Sequence, residues 1–249
     1  MKLIFAYVNP NHDFSEEGKV SIKIQIDNSL ELGWKKEDIV LATNFHYEYK
    51  GIKSIIVKDE HYCTFRPTAT KINIILELFE RGLITNDLHW FHDLDMYQLE
   101  PITEEEIGLI DEDMGVTDYG KIDKFNTGTI FFKPSARDIF EKIKEIVYLR
   151  KSIEERALDI LTGYYTKTYD GRDFSYPDWE SIRKRVKRLN IAYNFCCIKD
   201  QPYDPKLFKA TGNKYLLMCS EKVLDPIRVL HFHFSGIPQL PERLKKYFL

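Results

Sequence analysis

The chain has 249 residues and a formal net charge of -3, a length at the upper end of what one hydrophobic core supports. So small a net charge lacks the broad positive field that phosphate-dominated binding requires, which argues against nucleic acid as a main partner. The four cysteines, Cys63, the adjacent Cys196 and Cys197, and Cys219, show neither CxxC spacing nor the density of a secreted disulfide framework, so a reducing, cytoplasmic compartment is expected.

The run Leu3-Ile4-Phe5-Ala6-Tyr7-Val8 is too short for a signal-peptide core or a bilayer span and reads as a buried strand. Ile22, Ile26 and Leu30 then recur at helical spacing, and Gly33 supplies a stop. Two short stretches rich in β-branched residues follow, 38–43 and 54–58. The spacing of Ile72, Ile75, Leu76 and Phe79 predicts a helix over 68–81, and 88–92 reads as the next strand. This alternation implies an α/β domain with a mostly parallel sheet, whose ligand site lies at the carboxyl ends of its strands where the strand order reverses.

In the middle of the chain, 114–117 and 129–133 read as strands. Pro134-Ser135 opens an amphipathic helix through Ile139, Ile143 and Ile146 or Val147, and a second helix is expected over 153–161. Residues 163–176, rich in Tyr, Thr and Gly, have the composition of a loop that covers a cleft. Residues 178–189 read as a helix whose Arg183, Lys184, Arg185, Lys187 and Arg188 form a solvated basic face. The tail Leu244-Lys245-Lys246-Tyr247-Phe248-Leu249 reads as an amphipathic segment packed on its own domain, peripheral membrane contact being the alternative. No repeat, linker or membrane-spanning run divides the sequence, so residues 1–249 are expected to form one domain.

The chemistry concentrates at Phe91-His92-Asp93-Leu94-Asp95-Met96. Two carboxylates one residue apart at the exit of an apolar strand are placed to converge on one hard divalent cation, Mn²⁺ or Mg²⁺, which prefers oxygen ligands and keeps positions for phosphate oxygens. A second segment, Phe125-Asn126-Thr127-Gly128-Thr129, reads as a tight turn before a strand, with the Asn126 amide facing the cleft and Gly128 allowing close approach. Late in the chain, His231 and His233 are spaced to project from one strand face.

Taken together these pieces resemble, in order, the glycogenin-like (family 8) glycosyltransferases of GT-A type. The resemblance rests on Thr68-Ala69-Thr70-Lys71-Ile72, Asp93-Leu94-Asp95, Phe125-Asn126-Thr127-Gly128 with Pro134-Ser135 beyond, Glu154-Glu155, Ile191-Ala192-Tyr193-Asn194-Phe195, and His231-Phe232-His233-Phe234-Ser235-Gly236. It implies a GT-A fold with a nucleotide-sugar-binding half over 1–97 and an acceptor half over 98–249. It further implies transfer of a sugar from a nucleoside-diphosphate sugar, UDP favoured, to a glycan or other hydroxyl acceptor.

On this resemblance Asp93, Asp95 and His233 or His231 are the metal ligands, His233 being preferred as nearer the strand exit. Ala6, Tyr7, Val8, Lys71, Leu94, Gly128 and Gly236 are expected around the donor, and Asn126 and Glu155 at the reacting sugar. Two departures stand out. The chain reads Gly236-Ile237-Pro238-Gln239 where the family carries Lys-Pro-Trp after the glycine, and Glu154-Glu155 lacks the amide of many retaining members. Two other readings use the same residues. An aspartyl-phosphate phosphatase also carries Asp-x-Asp after a strand, but near the start of its domain and followed by Thr or Val rather than Met96. A nucleotide-sugar-binding protein without turnover would need the same site.

Overall fold

The computed structural model describes residues 1–119, 124–164, 176–196 and 226–231. The first strand, β1 (Lys2–Tyr7), is followed by α1 (Glu16–Glu31), which Ser15 caps by accepting from Gly18 N–H and which gives way to Gly33 at φ 90°. Next come β2 (Ile39–Thr43), β3 (Glu48–Tyr49), β4 (Ile52–Ile56) and α2 (Thr70–Glu80), then β5 (His89–His92) and the short β6 (Met96–Gln98). Parallel pairing joins β4, β2, β1 and β5. From β1 the chain builds outward on one side through β2 and β4, then returns to lay β5 on the other. The strand order therefore reverses beside β1, and the crevice there is where such sheets take ligands.

The second half adds α3 (Glu104–Ile107), β7 (Met114–Asp118), β8 (Phe125–Phe132), α4 (Arg137–Arg150), α5 (Glu154–Leu161), α6 (Trp179–Arg185), β9 (Val186–Leu189), β10 (Phe195–Cys196) and β11 (Val229–His231). The main sheet has eight strands in the order β3-β4-β2-β1-β5-β8-β7-β9, and β10, β11 and β6 form a small second sheet. Its core is aromatic at the centre: Trp90 on β5 stacks on Phe131 of β8 at 5.3 Å between ring centroids, and its indole N–H donates to Thr129 Oγ1 at 2.6 Å. Full burial of such side chains contributes roughly 1.5–3 kcal/mol each. Helix α2 is buried from Thr70 to Leu78, so it is enclosed on all sides rather than along one stripe.

Three expectations are corrected. The segment 178–189 is not one helix: α6 ends at Arg185, and Val186–Leu189 pairs in parallel with β7. Val186 and Leu189 are buried at its two ends, and pairing with β7 satisfies backbone groups that a helix would otherwise have satisfied. The basic run is a solvated face only in part, at the exposed Arg183 and Lys184. Arg185 pairs with Asp113 and Asp138, Arg188 with Asp118, and Lys187 Nζ donates to the carbonyls of Ile107 and Gly108. Finally, Asn126-Thr127-Gly128 does not precede its strand but lies inside β8. The pairing with β7 jumps from Val116↔Ile130 to Thr117↔Asn126, so residues 127–129 form a buried excursion from the β7 side of a continuous strand. The expected covering loop lies almost entirely outside the described residues, and the C-terminal tail wholly so.

Candidate active site

At the exit of β5 the chain leaves the sheet by a defined path. Asp93 N–H still donates to Gly128 O at 2.8 Å, continuing the β5–β8 pairing one step beyond His92↔Thr129. The chain then turns through Leu94 and Asp95 into β6. Two buried polar residues of α1 hold this turn. Gln25 Nε2 donates to Leu94 O at 2.9 Å and to Met96 O, while Asn28 exchanges hydrogen bonds with the backbone of Gln98 at 3.0 and 3.1 Å. Neither is evident from periodicity, which assigns polar helix positions to solvent.

The small sheet completes the cluster. Antiparallel pairing places His231 opposite Met96, next to Asp95, and His231 Nε2 lies 3.4 Å from Asp95 Oδ1. Ligand atoms of Asp93, Asp95 and His231 all lie within 4.8 Å of one another. Beneath the imidazole is Gly128: a β-carbon there would meet His231 Cε1 at 2.4 Å, so the excursion in β8 needs a glycine to admit the ring. Among the described residues His231 is brought to the carboxylates; His233, the preferred ligand on sequence, lies outside them, as does Gly236.

The residues fit a divalent cation. The His231 Nδ1 edge faces Asn194 Oδ1 at 2.8 Å, which leaves Nε2 directed at the Asp95 carboxylate. A nitrogen lone pair and a carboxylate oxygen in such proximity are mutually repulsive unless a cation or a proton lies between them. Two carboxylates and one imidazole make a donor set of the kind that binds Mn²⁺ or Mg²⁺.

Lys71 extends from the first turn of α2 into this cluster. Its Nζ lies 2.7 and 2.8 Å from the two Asp93 oxygens, 3.4 Å from Glu154 Oε1 and 3.2 Å from Thr127 O. Burial works against its charge, but Asp93, Glu154 and the hydrogen bond to Asp93 outweigh it and raise its pKa above the usual lysine value. Lys71 is therefore a buried ammonium shared by two carboxylates, not an exposed side chain at a helix start. Glu154, which is buried, also accepts from Thr127 Oγ1 at 3.1 Å and Thr68 Oγ1 at 3.3 Å.

Glu155 accepts from Tyr119 O–H at 2.8 Å and Thr127 N–H at 3.2 Å. Burial pushes its carboxyl up to about 6, with Tyr119 opposing and Glu154 reinforcing the shift. Asn126 is fully buried, and its Oδ1 accepts from Gly128 N–H at 2.9 Å, so at least this edge of its amide shapes the excursion.

A cleft of about 460 Å³ opens beside the cluster, bounded by Ala6, Tyr7 and Val8 at the end of β1, by Thr68, Thr70 and Lys71 of the α2 entrance, and by Asp93 and Asp95. It occupies the reversal of strand order. Leu94 does not line it; that residue offers its carbonyl to Gln25 instead. A larger hollow of about 670 Å³ involves Leu88, Glu104 and Lys133, but Leu88 precedes β5 and Lys133 follows β8. It therefore lies at the opposite end of the sheet from the carboxylates.

The fold is that of the GT-A glycosyltransferases, a large central sheet flanked by helices. Among similar solved structures, a glycosyltransferase involved in glycosylation of the major capsid of PBCV-1 shares 13% identity over 100% of both chains at a TM-score of 0.53. The galactosyltransferase LgtC, in complex with donor and acceptor sugar analogs, shares 14% identity over 99% of this chain and 95% of its own at a TM-score of 0.56. Mouse xyloside xylosyltransferase 1 shares 12% over 94% and 98% at a TM-score of 0.50. At these identities the likeness is one of fold. No family profile and no curated protein sequence matches the chain. No helix among the described residues is long and apolar enough to cross a membrane.

Proposed function

We propose that the chain is a divalent-cation-dependent glycosyltransferase that takes a sugar from a nucleoside-diphosphate sugar, with UDP the favoured nucleotide, and passes it to a glycan or other hydroxyl acceptor. The observation that carries this reading is the convergence of Asp93, Asp95 and His231 at the mouth of the cleft where the strand order reverses. In a GT-A fold that is the place for the diphosphate of a donor.

When bound, Mn²⁺ or Mg²⁺ supplies neutralisation of the charge that develops on the departing diphosphate. Asp93, Asp95 and His231 would hold it. The end of β1, Ala6 to Val8, forms the wall against which the nucleoside rests. Lys71 keeps its charge because Glu154 as well as Asp93 faces it, so Asp93 can turn to a cation without leaving the ammonium without a counter-charge. Glu155 would face the reacting sugar, whereas Asn126, fully buried with its Oδ1 on Gly128 N–H, shapes the strand excursion instead of touching the sugar. In an inverting reaction Glu155 is the general base for the acceptor hydroxyl, and its raised pKa suits that role near neutral pH. In a retaining reaction Glu155 orients the donor sugar instead.

The test is transfer or donor hydrolysis across a panel of nucleotide sugars with Mn²⁺, with and without chelator, for the unaltered protein and Asp95→Asn. Turnover that requires the cation and is lost in Asp95→Asn at unchanged apo melting temperature is expected. Full turnover in excess chelator would remove the metal from the reaction.

A further inference from the structure

We propose that Asn194 is a positioning residue that sets the tautomer of His231, holding the proton on Nδ1 so that Nε2 presents its lone pair to the cation. The proposal rests on the metal reading above and extends it to a residue that never touches the ion.

The orientation of the Asn194 amide follows from its surroundings. On one edge Nδ2 donates to Thr117 Oγ1 at 2.8 Å and faces Asn126 O at 3.5 Å. The Asn126 carbonyl only accepts, so the nitrogen of the amide belongs on that edge and the oxygen on the other. Oδ1 therefore faces His231 Nδ1 at 2.8 Å, and an oxygen acceptor there requires an N–H on Nδ1. With the ring 2% exposed and Asn194 1% exposed, water does not compete for this contact. A hydrogen bond so enclosed fixes ring angle and tautomer together.

The arrangement also explains why these residues lie where they do. Thr117 and Asn126 are paired across the irregularity between β7 and β8, and Gly128, two residues on, admits the imidazole. The excursion of β8 thus anchors the amide through Asn126 O and makes room for the ring that the amide orients. Asn194 itself follows a one-turn helix at 191–193, is capped backbone to backbone on Ile191 O, and leads directly into β10, which pairs with β11. The two partners of the hydrogen bond are therefore set by adjacent strands.

The experiment uses the full chain. Histidine ¹⁵N NMR on the metal-free protein, with the His231 signal assigned by its loss in His231→Gln, should show His231 protonated on Nδ1. Mn²⁺ titration followed by electron paramagnetic resonance should then show affinity falling about 10–100-fold in Asn194→Leu, the range typical of a lost partner to a metal-bound histidine. Asn194→Asp, which keeps an oxygen acceptor toward Nδ1 but loses the N–H toward Asn126 O, should recover part of it. Failure of the unaltered protein to bind Mn²⁺ would overturn the metal reading and this role with it. Mn²⁺ binding of undiminished affinity in Asn194→Leu, or a His231 without a proton on Nδ1 in the unaltered protein, would overturn the role of Asn194 alone.

Discussion

Two buried ionisable residues show how burial sets individual behaviour. Lys71 is held between Asp93 and Glu154, so its removal strands buried carboxylates as well as emptying space. Lys71→Met should cost about 3–5 kcal/mol in denaturant unfolding, as breaking a buried pair from one side does, and adding Glu154→Gln should return part of it. Equal stability of Lys71→Met and the unaltered protein would show that the lysine is not the counter-charge. Asp159 on α5 is 2% exposed and accepts from Phe125 N–H at 3.0 Å, and burial pushes its carboxyl up to about 6. Its folded pKa exceeds the unfolded value of about 4, so the native state holds the proton longer and stability falls as pH rises between those values. Asp159→Asn keeps an oxygen for the Phe125 amide and removes the ionisation. Melting temperatures measured against pH should show the variant gaining on the unaltered protein from about pH 4 to 6 and holding a constant lead above; parallel curves would exclude the effect.

At the scale of elements, the site depends on a strand excursion, and the excursion depends on one glycine. Gly128→Ala drives a β-carbon to 2.4 Å from the His231 ring, so the ring or β8 must shift, and Mn²⁺ affinity should fall at least about tenfold. In a His231→Ala background the same substitution should cost much less stability, because the clash is gone; a double-mutant cycle with additive unfolding energies would contradict the contact. This geometry also marks where the sequence is legible. Asp93 and Asp95 stand out because an apolar strand delivers them, and β1, α2, α4 and α5 follow from apolar spacing. Gly128 is visible as a glycine but not as the floor of a histidine, since its neighbour comes from a distant strand. Val186–Leu189 reads as helix because Lys and Arg are good helix formers and its four residues, buried only at the two ends, show no period of two. Gln25 and Asn28 carry no local sign that they hold the backbone of Leu94 to Gln98.

For the molecule as a whole, the candidate metal site joins the exit of a main-sheet strand to a strand of the small sheet. Asp93 and Asp95 follow β5 of the eight-stranded sheet, whereas His231 arrives on β11, a strand of three residues between β10 and β6. Short strands such as these cannot hold themselves in place; Val229, Leu230 and His231 are buried but have few backbone pairings to resist local opening. A cation on all three ligands would tie β11 to the exit of β5, and because it binds the closed arrangement and not the open one, it stabilises closure by RT ln(1 + [L]/Kd), about 2.7 kcal/mol at one hundred times Kd. Native-state hydrogen exchange should register this locally: saturating Mn²⁺ should slow exchange of the Leu230 and His231 amides by up to about one hundredfold, while the β1 and β2 amides, which exchange by opening of the main sheet, change far less. The same protection should disappear in Asp95→Asn. Slowing that is uniform across both sheets would instead indicate a cation that stabilises the whole fold from some other site, and no slowing at β11 would mean that His231 does not take the cation.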